Sequence, residues 1–389
     1  MARPHLASVL EDALFHNVEA VLRARGWQER LIGYTGYGNS GSVRVLGRVL
    51  LSKDNSDSDS DNDNDNDNEF AESSPAGPSV NGDPALAQSR QEILEAYRAL
   101  RGWRSFVTAP VKNTAVRIEI GEASVVARTD RSGYLDVMVP GHGLAPGWHH
   151  GVLSAINGDV AEVSCHIVDS AVTLGVISDI DDTVMVTHLP RPLIAAWNTF
   201  IRSEQRREHV PGMAAMYRSF LAEAPGTPII YVSTGAWNTA PTLTRFLRRH
   251  DYPTGPLLLT DWGPTNTGWF RSGQLHKSSQ FDRLADEFPN CRWILVGDDG
   301  QHDPALYGDF ARAHPDSVEV IAIRQLTPAQ QVLSSGLPIA TDELLPGRLK
   351  TPVPMLRAAE GFTLHTLVQS ARMRMGTLKQ SSWVAPIPG

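Results

Sequence analysis

The sequence predicts an α/β domain built on a mainly parallel sheet with flanking helices, preceded by a β-rich accessory domain. Two patterns in the 389-residue chain lead there. From about Ala171 onward, short apolar segments alternate with helical stretches, the arrangement of strand-helix-strand crossovers. Before Ala171, short alternating segments are punctuated by turn residues, as in a small antiparallel sandwich or barrel. A third feature points to function: the first apolar segment of the C-terminal part ends in three aspartates.

Taken in order, Leu6, Val9, Leu10, Leu14, Val18, Val21 and Leu22 recur at helical spacing. Glu11, Asp12, His16 and Glu19 interrupt any continuous apolar core, so this helix does not read as a signal peptide. Ser42 to Ser52 alternates and is rich in Val and Leu, as a strand would be. Asp54 to Glu69 then holds seven Asp and one Glu, and with the Ser/Gly/Pro-rich residues to about Pro84 it reads as a disordered insertion over about 53–84. Its D-x-D repeats lack the glycine and the terminal Glu of a calcium loop. A helix is expected over Ala85 to Leu100. Strands follow at Val116 to Ile120, Ala123 to Arg128, Tyr134 to Val139, Gly151 to Ile156 and Ala161 to Val168, separated by turns such as Asp130-Arg131-Ser132-Gly133 and Asn157-Gly158.

The second part offers strands at Thr173 to Ile177, Pro228 to Val232, Leu257 to Leu259, Trp293 to Val296 and Val318 to Ile323. From about Leu345 the chain is Pro-rich and then helical. The expected organisation is an accessory region over 1–170, the α/β domain with a small cap over 171–345, and a C-terminal extension over 346–389.

Composition narrows the function classes. The formal charge is -8, but without the acids of the 54–69 run 35 acidic residues face 35 basic ones. The folded part is therefore near neutral and carries no electrostatic footprint for nucleic acid. Cys165 and Cys291 stand far apart in apolar segments, which reads as two buried reduced thiols in a cytoplasmic protein, with no disulfide framework or structural zinc. No apolar run has the length of a transmembrane helix, so membrane contact is expected to be peripheral. Gly36-Tyr37-Gly38-Asn39-Ser40-Gly41 matches G-x-G-x-x-G, yet it leads into a strand where a dinucleotide site needs a helix; a β-domain turn is the expected reading.

The chemistry concentrates in Gly175-Val176-Ile177-Ser178-Asp179-Ile180-Asp181-Asp182-Thr183. Carboxylates this close repel one another unless a cation sits among them, and Mg2+ suits a few hard oxygen ligands together with a substrate phosphate. In an extended segment Asp179 and Asp181 point the same way, so both approach one phosphoryl group. Asp179 is the candidate nucleophile, forming an aspartyl-phosphate. Asp181 is the candidate acid/base, protonating the leaving alcohol and then deprotonating water. Ser233 and Thr234, after Ile229-Ile230-Tyr231-Val232, place hydroxyls for a phosphoryl oxygen. Lys277 opens a helix-like stretch and is positioned to neutralise phosphate charge. Asp298, ending Trp293-Ile294-Leu295-Val296-Gly297, completes the expected metal set of Asp179, Asp181 and Asp298, with Asp299 or Asp303 in support.

This ordered set of D-x-D-x-T, hydroxyl, Lys and G-D-D resembles the four-motif pattern of the haloacid-dehalogenase-like phosphohydrolases. Pro211-Gly212-Met213, Tyr231-Val232-Ser233 with Trp237, Gly255-Pro256-Leu257, His276-Lys277 and Gly297-Asp298-Asp299-Gly300 with Asp303, Pro304 and Tyr307 narrow it. They are similar to the actin-patch-associated phosphatidate phosphatases of fungi and their bacterial relatives, over about Ala171 to Arg324. The Val43 to Val49 stretch with the preceding Gly-Tyr-Gly also looks like the accessory β region of bacterial members. The chain departs from the family's usual G-D-S-G-E-x-D at Asp299 and Gln301, and from Ser-x-Ser-Pro-Trp at Ser233 to Trp237.

The resemblance implies hydrolysis of phosphatidate to diacylglycerol, whereas the residues alone argue for phosphoryl transfer. Substrate choice belongs to a cap between Thr183 and Pro228, with Leu193, Ile194, Trp197, Phe200 and Ile201 at helical spacing, and to the loop holding Trp269, Phe270 and Arg271. Those aromatics and that arginine suit a lipid interface, and equally a cap packed on its core. The alternatives are a phosphatase for a soluble phosphomonoester and a non-enzymatic lipid- or protein-binding module on the same fold. A metal-dependent glycosyltransferase would not require Lys277 and Asp298 in this order.

Overall fold

A computed structural model of the chain describes residues 19, 21–53, 109–186, 208–260, 269–300, 302–328, 330, 331 and 351–381. The expected insertion, the helix at 85–100 and the cap residues Leu193, Ile194, Trp197, Phe200 and Ile201 lie outside the described residues. The chain forms two compact units, Met1–Arg30 with Leu50–Val111 and Leu31–Val49 with Lys112–Gly389.

The β-rich region contains β1 (Trp27–Gly38), β2 (Ser42–Lys53), β3 (Ala109–Pro110), β4 (Ala115–Ile120), β5 (Ala123–Arg128), β6 (Tyr134–Pro140), β7 (Gly147–Ala155) and β8 (Val160–Ile167). They form one sheet in the order β3-β2-β1-β8-β7-β4-β5, with β6 also on β2. The sheet is mixed rather than wholly antiparallel as expected, because β1 runs parallel to β8 from Gly36↔Cys165 to Gly38↔Ile167. β1 escaped the sequence reading because its glycines hide the strand pattern. A Cβ on Gly36 would lie 2.3 Å from the Arg44 carbonyl oxygen, so the residues that look like a turn motif are a close backbone contact within the sheet. Only Asn39 to Gly41 turn, closed by Asn39 Oδ1 accepting from Gly41 N at 2.9 Å.

The second sheet is parallel throughout, in the order β11-β10-β9-β12-β13-β14. Its strands are β9 (Leu174–Ser178), β10 (Ile229–Ala236), β11 (Leu257–Thr260), β12 (Arg292–Asp298), β13 (Val318–Arg324) and β14 (Met355–Ala358). Val176, Ile177, Ile230, Ile294, Leu295, Val296, Val320, Ile321 and Ile323 are fully buried, the near-continuous apolar runs of a sheet covered on both faces. Helices α1 (Met213–Glu223), α2 (Ala240–Arg249), α3 (Trp269–Glu287), α4 (Asp303–Ala313) and α5 (Gly361–Ser381) accompany it. The five strands expected from sequence are present. The sixth, β14, is four residues long and was not foreseen; it pairs parallel with β13 from Ile321↔Met355 to Arg324↔Ala358.

The first strand lies inside the sheet. β9 has β10 on one side and β12 on the other, so the strand order reverses there. The crevice beyond the carboxyl ends at such a reversal is where open α/β sheets bind ligands. From the β-rich sheet, buried Arg44 reaches α3: its Nη1 donates to Gln280 Oε1 at 2.9 Å, while its fork grips Asp136 at 2.8 and 2.6 Å.

Candidate active site

β9 is buried at all five positions and aims the chain at the reversal point, where Asp179 to Thr183 leave the sheet. Asp179 N donates to Val296 O at 2.8 Å, which ties the loop to β12 at its root. Ser178 Oγ donates to Asp179 O at 2.6 Å and lies 2.6 Å from Tyr217 Oη on α1. Burial raises the Tyr217 phenol well above its ordinary value, so it remains a neutral hydrogen-bonding brace.

Lys277 bridges two of the carboxylates. Its Nζ lies 2.7 Å from Asp179 Oδ1 and 2.8 Å from Asp303 Oδ1. The residue sits about two turns into α3 rather than at a helix start as expected, because α3 begins at Trp269. Burial pulls the ammonium down, but Asp179 and Asp303 together outweigh it and raise the proton affinity above the ordinary lysine value. Burial pushes the Asp179 carboxyl up to about 7, against the lowering pull of Lys277 and with the repulsion of Asp303 and Asp181. Thr183 Oγ1 lies 3.3 Å from Asp179 Oδ2.

The carboxylates converge. Asp179, Asp298 and Asp303 are all buried and each presents a ligand oxygen within 4.8 Å of the others. Asp303 opens α4, and its Oδ2 is buried without a hydrogen-bond partner, an acceptor suited to a cation. Asp298 Oδ1 accepts from Gly300 N at 2.6 Å. Asp181 takes another partner: its Oδ2 accepts from Ser233 Oγ at 2.9 Å, and Gly235 N donates to that same Ser233 oxygen at 2.9 Å.

The structure thus brings Asp179, Lys277 and Asp298 together and links Asp181 to Ser233. Of the two supporting acids, Asp303 stands in the cluster, whereas Asp299 Oδ1 accepts from Leu326 N at 2.8 Å. Thr234 is exposed and Ser233 buried, which separates the two candidate hydroxyls. The side chains of Trp269, Phe270 and Arg271 lie outside the described ones. Sequence reasoning did not single out Tyr217 or Arg324, whose Nη1 donates to Asp182 O at 2.5 Å. Nothing local marks either residue, since Tyr217 looks like one more core aromatic of α1 and Arg324 like the polar end of a strand.

Fold and site define an α/β protein with a buried carboxylate-lysine cluster, fit to hold a cation, at the reversal point of a parallel sheet. Within that class, residues 174–325 match the family model described as Phosphatidate phosphatase APP1, catalytic domain. Phosphatidate phosphatase APP1 of Saccharomyces cerevisiae is 28% identical over 153 residues, which cover 39% of this chain and 26% of that protein. An uncharacterized protein of Schizosaccharomyces pombe is 22% identical over 154 residues, covering 39% and 25%. The matched segment is thus about a quarter of either relative's length. The resemblance read from the motifs is borne out over residues 174–325. Among solved structures, a carbohydrate acetylesterase from Xanthomonas citri aligns at 10% identity with a TM-score of 0.21, covering 61% of this chain and 70% of that one. That likeness is too low to carry an argument.

Proposed function

We propose that this chain is a Mg2+-dependent phosphatase of the haloacid-dehalogenase-like type that hydrolyses phosphatidate to diacylglycerol through a phosphorylated Asp179. The observation that carries the reading is Lys277 Nζ held 2.7 Å from Asp179 Oδ1 among three converging carboxylates. A lysine so placed offsets charge on a transferring phosphoryl group while leaving the carboxylate to attack.

Asp179, Asp298 and Asp303 would hold the metal. A bound dication supplies Lewis-acid stabilisation of the phosphoryl oxygens. The chain's own residues carry the remaining work. An Asp179 carboxylate oxygen attacks phosphorus as the ester P–O bond breaks. Asp181 gives its proton to the departing alkoxide, and Ser233 holds the Asp181 carboxylate through its 2.9 Å hydrogen bond. Asp181 then takes a proton from water, whose oxygen attacks phosphorus. The P–O bond to Asp179 breaks and inorganic phosphate leaves. Lys277 keeps Asp179 oriented in both displacements.

Phosphatidate as substrate is supported by the family match and by the similarity to the phosphatidate phosphatase of yeast. Among the described residues no helix is long and apolar enough to cross a membrane. Peripheral contact with the lipid from the cytoplasm, with the β-rich region as an accessory domain, belongs to the same proposal. Purified chain with Mg2+, assayed for phosphate release from phosphatidate in mixed micelles and from soluble phosphomonoesters, tests the reading. Turnover of phosphatidate supports it, soluble-only turnover replaces the substrate, and no turnover of either removes the enzyme.

A further inference from the structure

Beyond the motif residues, one buried cation grips the loop that carries Asp179 and Asp181. Arg324 ends β13, and its Nη1 donates to the Asp182 backbone carbonyl at 2.5 Å. Asp182 has a φ of 54°, in the left-handed region that few residues with a Cβ other than Asn and Asp enter. The chain turns sharply at this point. Val184 N donates to Ile180 O at 3.0 Å, with Thr183 N and Met185 N on the same oxygen at 3.3 Å. Ile180 O closes the turn from within, and Arg324 holds it from the end of β13, with β12 between that strand and β9.

The same arginine is tied to the other acidic loop. It lies opposite Asp298 in the β12/β13 register, and its carbonyl accepts from Asp299 N at 3.0 Å. Its Nη2 reaches Gln330 Oε1 at 3.4 Å. Burial works against the charged guanidinium, and the carboxylates of Asp182, Asp298 and Asp299 oppose that penalty. A packed aliphatic side chain would avoid the desolvation, so a buried arginine here calls for a task that needs its planar fork.

We propose that Arg324 is the positioning residue of this site, holding the Asp179 to Thr183 turn in register with Asp298. It acts through the Asp182 carbonyl. Without it the turn relaxes, and Asp179 and Asp181 lose their placement relative to Lys277 and Asp298. The kinetic side of this proposal rests on the phosphatase reading, while the structural side does not.

The test compares wild type, Arg324→Ala and Arg324→Lys by hydrogen exchange with mass spectrometry and by Mg2+-dependent hydrolysis of p-nitrophenyl phosphate. In Arg324→Ala, exchange in the peptide spanning 179–184 accelerates by about tenfold or more while peptides of β10 and β12 keep wild-type rates, the mark of local rather than global opening. Turnover falls by about 100-fold with KM changed by less than about threefold, as expected when geometry and not binding is lost. Arg324→Lys retains the charge without the fork and shows the same local exchange, which covers the case in which the alanine variant does not fold. Guanidinium ion added to Arg324→Ala restores part of kcat. Folded variants with wild-type exchange at 179–184, or with exchange accelerated equally everywhere, overturn the proposal. Wild-type protein that binds Mg2+ but never turns over substrate defeats the phosphatase reading and leaves the exchange comparison valid, so the two failures are distinguishable.

Discussion

Gly297 presses its bare Cα against Asp303: a methyl group there would lie 2.5 Å from Oδ2 of that carboxylate. The same methyl would lie 2.9 Å from Tyr307 Oη, whose hydroxyl donates to Val296 O at 3.0 Å. A glycine at the end of β12 is what allows Asp303 to join Asp179 and Asp298. Gly297→Ala should therefore displace Asp303 and lower kcat by about 10-fold or more, in line with the sensitivity of catalysis to small misplacements. Steady-state kinetics with a melting curve checks this; unchanged kcat would show that Asp303 tolerates the shift.

Removal of the Lys277 charge leaves Asp179 and Asp303 buried without their shared cation. Lys277→Met should cost about 3–5 kcal/mol of stability, the range for breaking a buried pair from one side. It should also raise the Asp179 carboxyl further, because Lys277 is the group that pulls it down. A nucleophile needs the ionised form, so the acid limb of any residual pH–rate profile should move to higher pH. Urea unfolding and pH–rate measurements on the variant read both effects.

Metal binding should stabilise the fold, because the three converging carboxylates exist as a site only in the native chain. Saturating Mg2+ at about 100 times its Kd adds about 2.7 kcal/mol by linkage. Thermal unfolding with and without Mg2+ should show a rise in wild type and little or none in Asp303→Asn. An equal rise in both would place the cation elsewhere.

Asp136 gives a pH signature away from the site. Burial pushes its carboxyl up, but the hydrogen bonds and charge of Arg44 outweigh this and hold it below the ordinary 3.8. Its stabilising contribution is therefore present above the unfolded value and is lost as pH falls through the lowered folded value. Asp136→Asn should be less stable than wild type near neutrality, with the gap closing as pH drops below about 3.8. The side chain is 45% exposed, so screening keeps the gap modest. Urea unfolding at pH 7 and pH 3 measures it.

Much of the site was legible because its chemistry is written in short contiguous signals. Apolar segments that lead into Asp179, Ser233 and Asp298 indicate both the parallel sheet and the edge at which these residues gather. Asp303 was recognisable only as a supporting acid, since its place in the cluster depends on α4 folding back over Gly297. Asp181 enters the expected metal set through its spacing to Asp179, and spacing does not reveal that its carboxylate also accepts from Ser233 Oγ. Tyr217 and Arg324 act through contacts across 39 and 142 residues of sequence, a separation that no local pattern encodes. β1 and β14 were missed for a different reason. One is broken by glycines that the sheet requires, and the other is too short to show a period.

Asp179 as the phosphate-accepting nucleophile is tested by its amide variant. Phosphate release from phosphatidate in mixed micelles with Mg2+ is compared between wild type and Asp179→Asn, with circular dichroism to establish that both are folded. The amide keeps the shape of the side chain and loses its nucleophilicity, so turnover should fall by about 1000-fold or more. A folded Asp179→Asn protein that releases phosphate at a rate near that of wild type would contradict the mechanism.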